Sequence, residues 1–222
     1  MKTWEAIIFD MDGTLLDTES MSIRSWKQTA EKFHFTITDE ILYSLIGRTR
    51  QEQQSIFDTF MPKEIQEEAI AFHNNNKKGM KRRDGVPQKT NLSVLMENIH
   101  TLGYRIALAT SEQEEEVHYN LTETKLDDVF ETIVCAGMVK RGKPEPDIYL
   151  KTAELLHLQP QDCLVVEDSF SGVRSAHSAG MDVVMIPDKL VPDEELRPLC
   201  TYILEDLSSL LELLKRHSEV NM

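Results

Sequence analysis

The chain has 222 residues and a net charge of −14 at pH 7, with 24 Lys and Arg against 38 Asp and Glu. Hydrophobic residues make up 41% of the sequence and charged residues 28%, which is typical of a globular protein and excludes a disordered chain. The acidic balance opposes binding to nucleic acid or anionic lipid, and no apolar run approaches the length that spans a bilayer.

The first residues and the cysteines indicate the cellular setting. The sequence reaches acids where a signal peptide would still be apolar, and Cys135, Cys163 and Cys200 lie far apart without metal-type or redox-type spacing. We therefore expect a reduced, cytoplasmic protein with no membrane or nucleic-acid partner. A chain of this size can act as a monomer, and we expect that state here.

Short apolar β-type segments alternate with helical segments along most of the chain. The predicted strands cover residues 4–9, 105–109, 132–135, 163–166, 183–186 and 202–204. The helices predicted between and after them cover residues 91–102, 112–122, 146–157, 171–179 and 207–217. Strands that are apolar at nearly every position are typical of a parallel sheet buried on both faces, so we predict a doubly wound, Rossmann-like α/β fold.

The interval between the first two strands departs from this alternation. Helical patterns cover residues 20–33, 39–46, 51–60 and 63–78, without a convincing strand among them. A structureless loop of this length is uncommon inside a compact domain, so the segment is interpreted as an inserted helical subdomain. We predict an α/β core domain formed by residues 1–17 and 85–222, with the insertion at residues 18–84.

Two acids, Asp10 and Asp12, follow the first predicted strand and are themselves followed by Gly13 and Thr14. The working sites of open α/β sheets lie at the carboxyl ends of the strands, where both carboxylates can face one point. Two carboxylates this close repel each other unless a cation lies between them. An Asp-Gly turn without a chemical role is the alternative explanation of the pair taken alone.

Polar side chains also follow three later segments, at Thr110 and Ser111, at Lys143, and at Glu167 and Asp168. Each has a structural explanation by itself, as a helix cap, a solvated lysine or acids at a helix N-terminus. A hydroxyl beside free N–H groups at a helix start is also suited to a phosphate oxygen. The repetition of such residues at strand ends favours one site over several unrelated explanations.

The segments DMDGT, LATS, GKPEPD and VVEDS resemble, in this order, the four motifs of the haloacid dehalogenase-like (HAD) superfamily of phosphohydrolases. The resemblance covers most of residues 1–17 and 85–190. It implies a phosphomonoester hydrolase whose helical insertion is a mobile cap, of the type shared with β-phosphoglucomutase-like members.

The resemblance also implies a role for each acid. Asp10 would be the nucleophile that forms an aspartyl-phosphate, and Asp12 would be the general acid and base. Mg²⁺ would be bound by Asp10, Asp168 and the backbone carbonyl of Asp12, with Glu167 as a further ligand or as a partner of the ligands.

The remaining motif residues would bind the phosphoryl group. By the same resemblance, Thr110 and the N–H groups around Ser111 would bind its oxygens. Lys143 would offset the negative charge of Asp10 and of the phosphoryl group, which otherwise repel each other.

The acid at Asp12 favours phosphate esters, because related branches that cleave carbon–halogen or carbon–phosphorus bonds lack it. Residues 47–50 resemble the G-x-x-R of mutases, in which Arg50 would bind a distal phosphate of the substrate. A surface position is an equally good explanation of Arg50. Gapless alignment places Ser22 where mutases have a histidine, so we favour a phosphatase of a small phosphorylated metabolite, such as a sugar phosphate, over a phosphosugar mutase.

Two further classes of function stay open. A phosphoacceptor signalling domain uses the same ingredients on a parallel sheet, but its paired acids precede a separate phosphoacceptor strand. A non-catalytic interaction protein could keep the fold, although four intact motifs argue against the loss of catalytic activity.

Overall fold

The computed structural model describes residues 4–46, 48 and 50–220, with the side chains of residues 50, 51, 219 and 220 outside the description. Within this part of the chain, the strands are β1 Ala6–Phe9, β2 Arg105–Ala109, β3 Thr132–Val134, β4 Cys163–Glu167, β5 Asp182–Met185 and β6 Tyr202–Ile203. They form one parallel sheet in the order β3-β2-β1-β4-β5-β6.

The helices of the first half are α1 Thr18–Phe33, α2 Asp39–Leu45, α3 Arg50–Phe60, α4 Lys63–Asp84 and α5 Leu92–Thr101. Those of the second half are α6 Glu114–Thr124, α7 Asp147–Leu156, α8 Phe170–Ser178 and α9 Leu207–Val220, with 3₁₀ turns at Ala136–Met138, Pro160–Asp162 and Arg197–Leu199. Among the described residues, no helix combines the length and the apolar character that crossing a membrane requires.

The central strand β1 is buried along its whole length, and its neighbours are β2 and β4. One face of the sheet, which includes Ile8 and Val165, packs against α7 and α8. Successive residues of a strand point to opposite faces, so Ile7 and Phe9 face the other side. Helix α5 contacts both β2 and α9. The doubly wound parallel α/β fold predicted from the sequence is confirmed.

The chain divides into two compact units. The first, here called the sheet unit, contains Met1–Leu16 and Gln88–Met222, and the second, the helical unit, contains Asp17–Pro87. The helical unit comprises α1 to α4 and has its own apolar core of Trp26, Leu42, Leu45, Phe57, Met61 and Ala69. The domain boundaries given above and the role of the insertion as a cap stay predictions.

Helix α4 is longer than the sequence pattern predicts, because it includes the basic run that follows residue 78. Lys81, Arg82 and Arg83 lie in its last turn, where cations interact favourably with the carbonyl end of the helix. The helix ends at Asp84 and is followed by Gly85, whose positive φ of 81° is accessible to glycine at little cost.

Candidate active site

The polar residues that follow β1 and β2 are fixed by the sheet itself. The N–H of Asp10 donates to the carbonyl of Val166 at 3.0 Å, and the N–H of Thr110 donates to that of Val134 at 3.0 Å. Both residues therefore continue the ladder of the parallel sheet by one step. Their side chains emerge at its carboxyl edge, as the positions in the sequence predict.

The ammonium group of Lys143 joins the ends of three strands. Its Nζ lies 2.5 Å from Oδ1 of Asp10, 2.6 Å from Oε1 of Glu167 and 3.1 Å from the carbonyl oxygen of Ala109. An ammonium group has three N–H donors, and three acceptors surround this one. Lys143 is buried, so these contacts act in an environment where charge pairs are strong.

Burial and the charge pairs set the protonation of this group. Burial raises the pKa of Asp10 well above its usual range, although Lys143 opposes the shift. Burial would lower the pKa of Lys143, but the carboxylates of Asp10 and Glu167 more than offset it and raise that pKa well above its ordinary value. Burial also disfavours the charged form of Glu167, yet Lys143 and local hydrogen bonds keep its pKa below the ordinary value. Lys143 and Glu167 are therefore charged at neutral pH.

Asp12 lies in a tight turn that closes on Leu16. The N–H groups of Leu15 and Leu16 both donate to the carbonyl of Met11 at 3.0 Å, and the N–H of Gly13 donates to that of Leu16 at 2.8 Å. Gly13 has a φ of 89°, and a Cβ at this position would overlap the carboxylate of Asp168. Glycine is thus required here by both its backbone conformation and its missing side chain.

Asp168 is oriented by the same turn. The hydroxyl of Thr14 donates to its Oδ1 at 2.8 Å, and both residues are buried. One oxygen of the Asp168 carboxylate is therefore held by the segment that carries Asp12. The turn after β1 and the end of β4 form one connected structure.

The hydroxyl of Thr110 accepts a hydrogen bond from the N–H of Glu112 at 3.1 Å, and the side chain is buried. The hydroxyl can still donate its own proton, which suits a phosphate oxygen. Ser111 is exposed at the same edge, just before α6. The prediction that these residues bind phosphate stays a prediction.

The acids at the carboxyl ends of β1 and β4 form a group that is suited to a cation. Asp10, Glu167 and Asp168 each offer a carboxylate oxygen, and these three oxygens lie within 4.8 Å of one another. All three residues are buried, where carboxylates repel strongly unless positive charge compensates them. Oxygen ligands of this kind suit Mg²⁺. The residues present therefore fit the divalent metal that the motif resemblance implies.

The structure brings most of the predicted site residues together. Asp10, Lys143 and Glu167 are in direct contact, and Asp168 joins their cluster. The backbone of Arg50 begins α3, but its side chain lies outside the described residues, so the predicted phosphate contact stays a prediction.

The sequence analysis did not identify the residues whose hydroxyl groups form hydrogen bonds to the carboxylates of the site. The hydroxyl of Thr14 contacts Asp168, and those of Tyr149 and Ser169 contact Glu167. Thr14, Tyr149 and Ser169 lie in or beside the motif segments, which was the available signal. Their side-chain directions depend on how α7 and β4 pack, which the motif letters do not specify.

Comparison with known proteins agrees with this geometry. The model of the family described as haloacid dehalogenase-like hydrolase matches residues 7–186. The matched span includes the acids of β1 and β4 and the lysine between them. The chain belongs to the haloacid dehalogenase-like hydrolases.

Relatives of this HAD hydrolase are similar over most of their length. Phosphorylated carbohydrates phosphatase of Thermotoga maritima is 33% identical over 180 residues, which cover 80% of this chain and 82% of the relative. Hexitol phosphatase A of Escherichia coli is 31% identical over 184 residues, with 82% of each protein covered. The crystal structure of a HAD hydrolase (family IA, variant 3) from Entamoeba histolytica has a TM-score of 0.78 at 25% identity, with 95% of this chain and 99% of that chain covered.

Proposed function

We propose that this HAD hydrolase is a Mg²⁺-dependent phosphatase that hydrolyses a small phosphorylated carbohydrate through an aspartyl-phosphate. The observation that carries the proposal is the contact between the Lys143 ammonium and Oδ1 of Asp10 at the carboxyl edge of the sheet. The relatives named for phosphorylated carbohydrates and hexitol phosphates support the substrate class.

Asp10 is the proposed nucleophile. One oxygen of its carboxylate attacks phosphorus while the bond from phosphorus to the alcohol oxygen breaks, and water then hydrolyses the aspartyl-phosphate. The positive charge of Lys143 offsets the repulsion between this carboxylate and an anionic phosphate. The hydroxyl of Thr110 and the N–H groups near Ser111 would hold phosphoryl oxygens.

Asp10, Asp168 and the backbone carbonyl of Asp12 would hold the metal, beside Glu167. When bound, Mg²⁺ would supply positive charge that keeps Asp10 ionised and stabilises charge on the phosphoryl oxygens. Thr14 contributes by fixing the orientation of Asp168 through the hydrogen bond to its Oδ1. Asp12 is the proposed general acid and base, which protonates the leaving oxygen and then accepts a proton from water.

The decisive experiment is the substitution Asp10→Asn, assayed with p-nitrophenyl phosphate and Mg²⁺. We expect turnover to fall by about a thousandfold or more, because the amide is a poor nucleophile. Asp206→Asn is the matched control, since Asp206 caps the start of α9 through the Ser209 N–H and takes no part in the site. Full turnover by a pure Asp10→Asn protein would contradict the nucleophile assignment.

The role of Asp12 is tested by comparing leaving groups. Asp12→Ala should reduce hydrolysis of an alkyl phosphate, such as a sugar alcohol phosphate, by about 10 to 100 times more than hydrolysis of p-nitrophenyl phosphate. The reason is that p-nitrophenolate is a good leaving group without protonation, whereas the alkoxide of an alkyl phosphate has to be protonated as it leaves. Equal losses with both substrates would show that Asp12 does not act as the acid.

Substrate assays also separate the other functions. With β-glucose 1-phosphate, a phosphatase releases inorganic phosphate, whereas a mutase produces glucose 6-phosphate. A phosphoacceptor domain would become labelled once and show no turnover of small esters. The cytoplasmic location and the monomeric state stay predictions, and gel filtration with light scattering tests the latter.

A further inference from the structure

Asn120 is a polar residue on the buried face of α6, where an apolar residue is expected. The buried residues of this helix are Val117, Asn120, Leu121 and Thr124, which recur at the spacing of one helical face. Asn120 is fully buried. Burial of an amide is costly unless its polar atoms find hydrogen bonds that replace those made to water.

The side-chain amide of Asn120 is poorly satisfied. Among the residues that the structure describes, its Oδ1 has no hydrogen-bond partner. Its Nδ2 donates to Sδ of Met11 at 3.8 Å, and a thioether sulfur is a weak acceptor. The hydroxyl of Thr124, one turn later on the same face, donates to the backbone carbonyl of Asn120 at 2.7 Å and is therefore satisfied. Asparagine thus lowers the stability of the protein at position 120.

Gln66 of the helical unit shows how a buried amide is satisfied elsewhere in this chain. Its Oε1 accepts from Nε2 of Gln54 at 2.8 Å. Its Nε2 donates to Oδ1 of Asp58 at 3.1 Å and to the carbonyl of Met61 at 3.0 Å. Both ends of this amide have oxygen or nitrogen partners, so the weak contact of Asn120 calls for another explanation.

Met11, which accepts the contact from Asn120, lies between the two acids that follow β1. The N–H of Asp10 is still bonded to the neighbouring strand, whereas Asp12 lies in the turn beyond. The carbonyl of Met11 accepts both of the N–H groups that close this turn, those of Leu15 and Leu16. The orientation of Met11 therefore influences the place of Asp12 more than that of Asp10.

The contact with Asn120 can fix the side chain of Met11, which is itself buried. Methionine has three rotatable bonds and adapts to irregular spaces, so apolar packing alone selects one rotamer poorly. An N–H group donates along a preferred direction, and it favours the rotamer that brings the sulfur to it. Small displacements of a group that transfers a proton have large effects on rate, so a fixed Met11 favours catalysis by Asp12.

We propose that Asn120 is a positioning residue for Asp12, that it acts through the side chain of Met11, and that it does so at a cost in stability. The proposal rests on the function proposed above, because it concerns the acid that protonates the leaving oxygen. Attack by Asp10 on phosphorus should depend on Asn120 much less, since the sheet holds Asp10 in place.

The first experiment uses Asn120→Leu, which replaces the amide by an apolar side chain of nearly the same shape. The melting temperature should rise by about 2–4 °C, because an unsatisfied buried polar atom is removed. We expect kcat for an alkyl phosphate to fall about fivefold with KM nearly unchanged, and kcat for p-nitrophenyl phosphate to fall less than about twofold. A ratio of the two kcat values equal to that of the wild type would overturn the proposal.

Thr124→Val is the matched control, on the same buried face of the same helix. It removes a hydroxyl that is well satisfied, so the melting temperature should fall by about 2–4 °C. The ratio of kcat for the two substrates should stay that of the wild type. If Thr124→Val changed this ratio as much as Asn120→Leu, the effect would belong to the packing of α6 and the positioning role would be wrong.

Met11→Leu tests the same contact from the other side and keeps the proposal testable if Asn120→Leu does not fold. It removes the sulfur acceptor, so it should also lower kcat for the alkyl phosphate about fivefold. The double variant should lose no more than either single variant, because both substitutions remove one contact. Losses that multiply would show that Asn120 and Met11 act independently, contrary to the proposal.

A measurement without turnover separates this inference from the proposed function. If the wild type hydrolyses no phosphomonoester, the phosphatase proposal fails, but nuclear magnetic resonance of ¹³C-methyl methionine still reports the rotamer of Met11. The chain has 10 methionines, and Met11→Leu assigns the signal by its loss. Asn120→Leu should move the methyl ¹³C shift toward the value averaged over rotamers, and Thr124→Val should leave it in place. An unchanged shift in Asn120→Leu would show that Asn120 does not fix Met11.

Discussion

A buried lysine of the sheet unit and a buried histidine of the helical unit differ in the direction of their pKa shifts. In the sheet unit, Lys143 is surrounded by the carboxylates of Asp10 and Glu167, and these neighbours raise its pKa well above the ordinary value despite burial. In the helical unit, His73 stacks on Trp26 with ring centroids 4.0 Å apart and planes 11° apart. Burial lowers the pKa of His73 to about 3, with a smaller contribution from a nearby lysine.

The difference lies in the partners and not in the depth of burial. Lys143 and His73 are similarly inaccessible, at 7% and 5% exposed. Carboxylates stabilise the charged form of the lysine, whereas Nδ1 of His73 has no hydrogen-bond partner among the described residues. The sheet unit therefore retains buried charge that can act on an anionic substrate, and the helical unit buries its histidine in the neutral form as a packing residue.

Of the predictions made here, removal of the buried ammonium group of Lys143 should have the largest effect on the stability and turnover of the protein. Lys143→Met leaves two buried carboxylates facing each other, so we expect the free energy of unfolding to fall by about 3–5 kcal/mol. Turnover of p-nitrophenyl phosphate should fall by about 100-fold to 1000-fold, because no charge then offsets the approach of the phosphate. Urea unfolding followed by circular dichroism gives the first quantity, and steady-state assays give the second.

A double variant separates the two consequences. In Lys143→Met with Glu167→Gln, one of the uncompensated charges is removed, so part of the lost stability should return. Activity should not return, since the cation beside Asp10 is still missing. Recovery of neither stability nor activity would show that packing, and not charge, explains the effect of the single substitution.

A second prediction compares two helical glycines, one in each unit. Gly172→Ala places a methyl group inside the carboxylate of Glu167, so we expect a loss of about 1–3 kcal/mol in unfolding free energy and a lower kcat. Gly79→Ala in α4 is the control, because nothing lies within 4 Å of the place that its Cβ would occupy, and alanine favours a helix by about 0.5–1 kcal/mol. Equal stability changes in the two variants would indicate that Glu167 is free to move.

Much of the sheet unit is predictable from the sequence, because the information lies in the spacing of apolar residues and in the positions of polar residues after strand ends. Apolar strands separated by helical segments predict the parallel sheet, and residues after strand ends predict the edge where Asp10, Lys143 and Asp168 meet. The sequence predicts that these residues are near each other. It does not predict which oxygen of Asp168 the Thr14 hydroxyl contacts, because that depends on side-chain directions across two elements.

The helical unit is less predictable in its details. Its helices follow from the periodic pattern, and its core includes Trp26 and Phe57. The stacking of His73 on Trp26 joins α4 to α1, and a single histidine in a helical segment carries no signal of its partner. The structure gives this histidine a packing role.

The third prediction concerns that histidine and has the smallest expected effect. His73 takes up a proton in the unfolded chain near its ordinary pKa of about 6.5 but in the folded protein only near 3, so acidification between these values favours unfolding. The linkage amounts to about 2 kcal/mol of stability lost between pH 7 and pH 5.

His73→Phe should remove this loss, because phenylalanine preserves the ring stack on Trp26 and does not titrate. We expect the unfolding free energy of the variant to depend less on pH than that of the wild type, by about 2 kcal/mol over the same interval. Trp26 fluorescence in a Trp4→Phe background reports unfolding of the helical unit, since Trp4 and Trp26 are the chain's 2 tryptophans. His118→Gln, at an exposed position in α6, controls for the loss of any histidine. Parallel pH profiles of wild type and His73→Phe would mean that burial does not lower the pKa of His73 in the folded protein, and the contrast with Lys143 would then fail.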